Sequence, residues 1–141
     1  MNSTYWLNTI MNKVYHDPEA QFYIGLSATL EKTEEGNFNF LEPERGATNY
    51  NRTRITDFTY AENGILVNEK DIVFSESTAS WWDGEQKAQY WVLFDGPDET
   101  AHALSAGSLD TPHFIERNTV ITIPAGLLAI SIMDYDSISS P

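Results

Sequence analysis

The side chains best suited to chemistry in this sequence are scattered. His16, His102 and His113 are the three histidines, and none sits at a paired-ligand spacing such as H-x-x-x-H. Serine is plentiful, but the nucleophile-elbow pattern G-x-S-x-G is absent. There is no cysteine, which removes disulfide frameworks, thiolate zinc sites and cysteine nucleophiles together. The carboxylates are too many for a general acid/base pair to stand out. Asp95, Asp98 and Glu99 cluster in one turn, and Asp134 and Asp136 alternate near the end. Calcium needs several converging oxygens, and neither cluster has the EF-hand pattern, so solvated turns are the simpler reading. The sequence therefore predicts a protein that is not an enzyme and needs no metal or cofactor.

Aromatic residues offer binding chemistry instead. Trp81 and Trp82 fall in a predicted loop, and Tyr50 lies near another. An exposed ring can stack on a sugar, with Asp and Asn close by as hydrogen-bond partners. The competing use of a Trp in a β-rich chain is to fill the core. Adjacent strand residues face opposite ways, so one of the two tryptophans is expected inside and the other outside.

These residues must be held by one compact unit. A chain of 141 residues can bury a substantial core without a staple. With 41% hydrophobic and 13% aromatic residues, it does not read as disordered. Eight basic against 21 acidic residues give a net charge of −13, which repels phosphate backbones and anionic lipid. Nucleic acid is thus not an expected partner. No apolar run approaches the ~20 residues of a membrane span, and no signal-peptide pattern opens the chain.

Residues 1–18 read as an amphipathic helix. Ser3 or Thr4 can cap it, and Leu7, Ile10, Met11 and Val14 recur at helical spacing, with Tyr5 and Trp6 widening the apolar face. Asp17-Pro18 ends it, because a residue before proline avoids the α region. Residues 19–135 read as strands separated by turns. The apolar runs are Phe22–Leu26, Ile65–Val67, Ile72–Phe74, Tyr90–Phe94 and Leu127–Met133, with weaker segments around Ile55–Tyr60, Ala101–Ser105 and Thr119–Ile123. Asn63-Gly64 is the strongest turn signal. The acidic stretch Glu31–Glu44 carries Phe38, Phe40 and Leu41 and reads as a long loop or a loose hairpin. Residues 136–141 read as a frayed tail. The fold class expected is mainly β: an antiparallel, jelly-roll-like β-sandwich of about eight strands behind one short N-terminal helix.

The order of the motifs carries a resemblance. The front helix is followed by Tyr23-Ile-Gly-Leu-Ser27, then Gly46, Tyr50 and Arg52, then Asp71-Ile-Val-Phe74. Trp81 or Trp82, Trp91-Val-Leu-Phe-Asp95, Ala106-Gly-Ser-Leu109 and Ile123-Pro-Ala-Gly-Leu-Leu-Ala-Ile-Ser131 complete the series. Over nearly its whole length the chain resembles a family of small bacteriophage tail-fibre-like or minor virion structural proteins. It departs from them at Gly46-Ala-Thr-Asn-Tyr50, where a Gly-rich loop is usual, and in a longer, more acidic segment before it.

The resemblance implies a virion component, made in the host cytoplasm, with no catalytic residues. It would be a tail-fibre-like, head-fibre or capsid-decoration subunit acting through protein–protein contacts. Trp6, Leu7, Ile10, Met11 and Val14 on the helix, and Phe38, Phe40 and Leu41 on the acidic segment, are the expected partner contacts. Many copies on a symmetric particle would give avidity to modest individual contacts. The acidic surface suits an outward position, away from packaged DNA. A homotrimer fits such proteins, although no heptad seam argues for one. The first alternative is a host-glycan receptor-binding module using Tyr50, Trp81 and Trp82. The second is an acidic effector that binds a host protein.

Overall fold

The structure, a computed structural model, describes residues 2–131. The expected end of the last strand at Met133, the Asp134/Asp136 pair and the 136–141 tail lie outside the described residues. Among the described residues one helix, α1 (Thr4–Tyr15), leads into ten strands. In chain order these are β1 (Phe22–Ser27), β2 (Leu30–Lys32), β3 (Phe38–Phe40), β4 (Thr53–Ile55), β5 (Ile65–Val67), β6 (Ile72–Val73), β7 (Ala88–Phe94), β8 (Ala103–His113), β9 (Thr122–Ile123) and β10 (Ala129–Ser131).

Every strand pair is antiparallel. The main sheet runs β4-β1-β7-β8. Three two-stranded pieces, β10-β5, β6-β9 and β2-β3, make up the rest. The pairings β5 with β10, β6 with β9 and β7 with β8 nest inside one another, as in a long hairpin folded over on itself. This nesting is what gives jelly rolls their topology. The fold is thus mainly β and sandwich-like, as expected, with more and shorter strands than the sequence suggested. The extra pair is β2-β3: the acidic stretch forms a small hairpin, with Phe40 edge-on to Phe94 at 5.4 Å. The other difference is β8, which the sequence placed at Ala101–Ser105. It runs to His113 because its small and polar residues need only one neighbour, β7.

β1 and β7 are buried on both faces, which explains their continuous apolar runs. Loops are held by buried polar side chains rather than by secondary structure. Asn68 donates from its amide to the Lys70 and Pro124 carbonyls and accepts from the Leu128 N–H. Ser77 accepts from the Thr119 N–H and donates to the Glu116 carbonyl. Among the described residues no fully buried side-chain nitrogen or oxygen lacks a partner, as stable interiors require. The Asn63-Gly64 turn is a two-residue hairpin: both residues have positive φ, 54° and 75°, and Glu62 and Ile65 exchange two backbone hydrogen bonds. Asn and Gly are the residues that tolerate this backbone best.

α1 is capped by Ser3, whose hydroxyl accepts from the Trp6 N–H at 3.1 Å. The helix packs on its own sheet. Met11 is buried, and Tyr15 meets Phe22 and Phe58 at 5.1 and 5.3 Å. Beside this apolar seam runs a polar one. Asn8 accepts from the Gly64 N–H and Asn12 from the Ala61 N–H, both at 2.8 Å. His16 donates from Nε2 to the Thr59 carbonyl at 3.0 Å and stacks on Tyr60. Spacing of i, i+4, i+8 aligns these three side chains on one helix face. They satisfy backbone groups of residues 59–64 that have left the sheet.

Asn12→Ala should strip the partner from the Ala61 N–H. The expected cost is about 1–3 kcal/mol, read by denaturant unfolding. Faster hydrogen exchange in α1 should accompany it, with the amides of β1 and β7 unaffected at native conditions.

Candidate functional site

The helix divides its apolar residues between two sides. Leu7 and Met11 turn inward, Leu7 closing over Gly64 and Met11 into the core. Trp6, Ile10 and Val14, also at i, i+4, i+8, form the outer stripe. Trp6 is 51% and Val14 48% exposed, and Tyr5, one residue earlier, is 78% exposed. Of the five helix residues expected at a partner, Leu7 and Met11 thus turn to the chain's own domain instead. An apolar arc this wide exceeds the roughly 100° that one docking face uses, and the chain's own core takes half of it. Met11 cannot reach a partner.

The acidic hairpin is similarly divided. Phe38 and Phe40 are half-buried, Phe40 against Phe94, while Leu41 is exposed. Leu41 lies beside Glu42, whose carboxylate enters the interior.

That carboxylate anchors a densely bonded cluster. Arg52, its guanidinium almost wholly buried, pairs with both oxygens of Glu42, at 2.7 and 3.0 Å. It also donates to the Asp98 carbonyl at 2.6 Å and lies flat over the Phe94 ring, 3.4 Å from its centre. The Tyr50 hydroxyl donates to Glu42 and accepts from the Leu26 N–H. Gly25 leaves room for all of this: a Cβ there would lie 2.6 Å from the Tyr50 hydroxyl and 2.9 Å from Phe94. Burial first, and the neighbouring Glu42 charge second, hold the Tyr50 phenol well above its ordinary 10.0.

The sugar-stacking candidates lie in and around this cluster. Tyr50 and Trp81 are fully enclosed, edge to face at 5.1 Å. Trp82 is also buried, and it lines a shallow pocket with Trp81, Leu41 and Gln86. Their indole N–H groups donate to the Thr48 and Leu41 carbonyls. Residues 81–82 are not in a strand, so the alternation that would expose one of them does not apply. Neither ring face is free to stack on a sugar, and the burial overturns that expectation for all three residues. In the acidic turn, Asp95 accepts from the backbone and ring of His102, which lowers its pKa. Among the described residues no three of His, Asp and Glu come together as a metal site would require. No described helix is long and apolar enough to cross a membrane.

The signal for the outer stripe was present in the sequence as Trp6, Ile10 and Val14. What the sequence reading missed was the polar register Asn8, Asn12 and His16, which decides which apolar residues turn inward.

The fold and its surfaces define a class: a β-sandwich scaffold whose interior is closed by structural polar networks and whose front helix offers an apolar face outward. The sequence model of the family described as Podophage GP4 fiber I protein gp80 matches residues 1–131, from the helix through β10, and the chain belongs to that family. This is a phage fibre-protein family, so the motif-order resemblance holds, and a structural role in the virion follows from it. No curated protein matches the chain.

Two measurements test the cluster. Glu42→Gln leaves the Arg52 charge buried without its counter-ion and should cost about 3–5 kcal/mol, read as a lower denaturation midpoint. For Tyr50, the unfolded chain releases its phenol proton near 10.0 while the folded chain keeps it. The stabilising effect is thus complete below that pH and is lost as pH rises further. Tyr50→Phe should make the melting temperature fall less steeply above pH 10 than in the wild type.

Proposed function

We propose that the chain is a fibre subunit fixed to a neighbouring virion protein by the outer face of its N-terminal helix. One observation carries this reading. Trp6 and Val14 stand exposed, with Ile10 half-buried between them, on a helix already secured to its own domain from the other side. Aromatic anchors of this kind dominate binding energy where they fill a partner's pocket.

Charge supports the same face. The first sixteen residues carry Lys13 and no carboxylate, and all 21 acidic residues follow from Asp17 onward. A partner approaching the helix meets the least repulsive part of a chain of net charge −13. Leu41, which follows β3 directly, is one of several exposed apolar residues elsewhere on the chain and supports a smaller accessory contact. The acidic remainder favours a position facing outward from the particle.

The Trp6→Asp, Val14→Asp double variant tests the reading. Both side chains are exposed, so the free protein should keep its melting temperature within a few degrees. Phage carrying the variant should lack the chain when purified particles are examined by quantitative mass spectrometry. Wild-type copy number in those particles would overturn the proposal.

A further inference from the structure

The largest irregularity of the main sheet lies on β8. Between the pairs Tyr90–Ser108 and Ala88–His113, β8 advances five residues while β7 advances two. The three surplus residues fall within 109–112 and make a bulge on the edge strand. A cavity of about 240 Å³ opens between this bulge and the segment from Ile121 to Pro124.

Trp91 lines the cavity, and its placement depends on Gly107. A Cβ at residue 107 would lie 2.6 Å from the indole ring and 2.8 Å from its nitrogen. Trp91 is only 4% exposed, yet its indole N–H has no hydrogen-bond partner among the described residues. Trp81 and Trp82, buried to a similar degree, both donate to carbonyls. Trp91 is a lining residue of the cavity, which places its indole beside that open space. Around it stand Ser108, Asp110, Thr111, His113 and Thr122, and none of these side chains bonds to another described residue.

The chemistry of this lining selects a ligand. It combines two fixed donors or acceptors, Trp91 and Asp110, with three hydroxyls that can serve as either. The opposing wall, Ile123, Pro124 and Leu127, is apolar. A few placed polar groups in an otherwise apolar concavity fix the orientation of a small ligand. The space is below the ~300–1,000 Å³ of drug-sized sites, which limits the ligand to about one ring. No Lys or Arg lines the cavity, and Asp110 adds to an already acidic surface. An anionic ligand is therefore disfavoured. A ring with hydroxyls on its rim and an apolar C–H face meets these requirements.

We propose that the cavity under the β8 bulge binds a neutral pyranose. The ligand is either a free sugar or one unit of a glycan chain. The proposal is independent of the helix-docking reading, since the two use opposite kinds of surface and no common residue.

The test is a titration of the full chain with methyl glycosides of glucose, galactose and mannose, following the four tryptophan indole N–H signals by NMR. The Trp91 signal is identified by its loss in Trp91→Phe, or by its contact with Gly107 should that variant not fold. It is expected to move saturably with at least one sugar while the Trp6, Trp81 and Trp82 signals stay in place. Asp110→Asn, at an exposed position, should weaken that sugar about tenfold or more without changing the melting temperature. Tighter binding of a matching oligosaccharide than of its monomer would assign the site to a glycan chain, and equal binding to a free sugar. No movement of the Trp91 signal with any sugar at about 100 mM, a hundred times a 1 mM Kd, would overturn the proposal. Preferential binding of glucuronate, or movement confined to Trp81 and Trp82, would overturn it as well.

Discussion

The Glu42–Arg52 pair is the constraint on which much of the sandwich depends. Taking two charges out of water is costly, and the attraction between them compensates only when the remaining hydrogen-bonding positions are also filled. Here they are: Arg52 spans Glu42, the Asp98 carbonyl and the Phe94 ring, and Glu42 also accepts from Tyr50. Five separated parts of the chain must arrive together for this to happen. They are Gly25–Leu26 in β1, Glu42 after β3, Tyr50–Arg52 before β4, Phe94 at the end of β7, and the turn at Asp98. A hydrophobic replacement of similar shape could match the stability, but it would not require so specific a meeting of strands.

The cluster also explains the closed interior around it. Tyr50 carries the network to Trp81 through an edge-to-face contact, and Trp81 and Trp82 fasten the loop carrying Thr48 and Leu41 through their indole N–H groups. Three large rings thus work as braces for segments with little regular structure. This is an efficient way to order loops in a sheet made of many short strands. It leaves those rings buried and unable to act as a recognition surface.

Much of this was readable from the sequence, and the failures have identifiable causes. β1 and β7 declared themselves because a strand buried on both faces is continuously apolar. The Asn63-Gly64 turn declared itself because few residues accept positive φ. The β2-β3 hairpin was ambiguous because Glu34 and Glu35 at its turn mask the Phe38 and Phe40 pattern. The length of β8 was hidden by Gly107, Asp110 and Pro112, residues that usually end strands but at an edge only bend one. Exposure of the tryptophans could not be judged, since an indole near charged residues looks the same whether it stacks outside or donates a hydrogen bond inside. The two-sided helix was legible in principle: Asn8, Asn12 and His16 share one register, and a polar register next to an apolar one marks the docked side.

Electrostatics connects these features with the role in a particle. At physiological ionic strength, charges are screened beyond about 8 Å, so net charge matters less at a contact than the charges within reach of it. A chain of −13 can therefore pack beside other proteins, and beside its own copies, wherever its surface is locally neutral. Three stretches among the described residues meet that condition. The first is the helix before Asp17, and the second is Ala103 to Leu109 along β8, which carries no charged residue. The third is Asn118 to Ser131, which carries no charged residue and exposes Val120 and Leu127. The carboxylates elsewhere keep the remaining surface hydrated and discourage unplanned association. The acidic excess is thus unevenly spread along the chain, and approaches to the uncharged stretches meet the least repulsion.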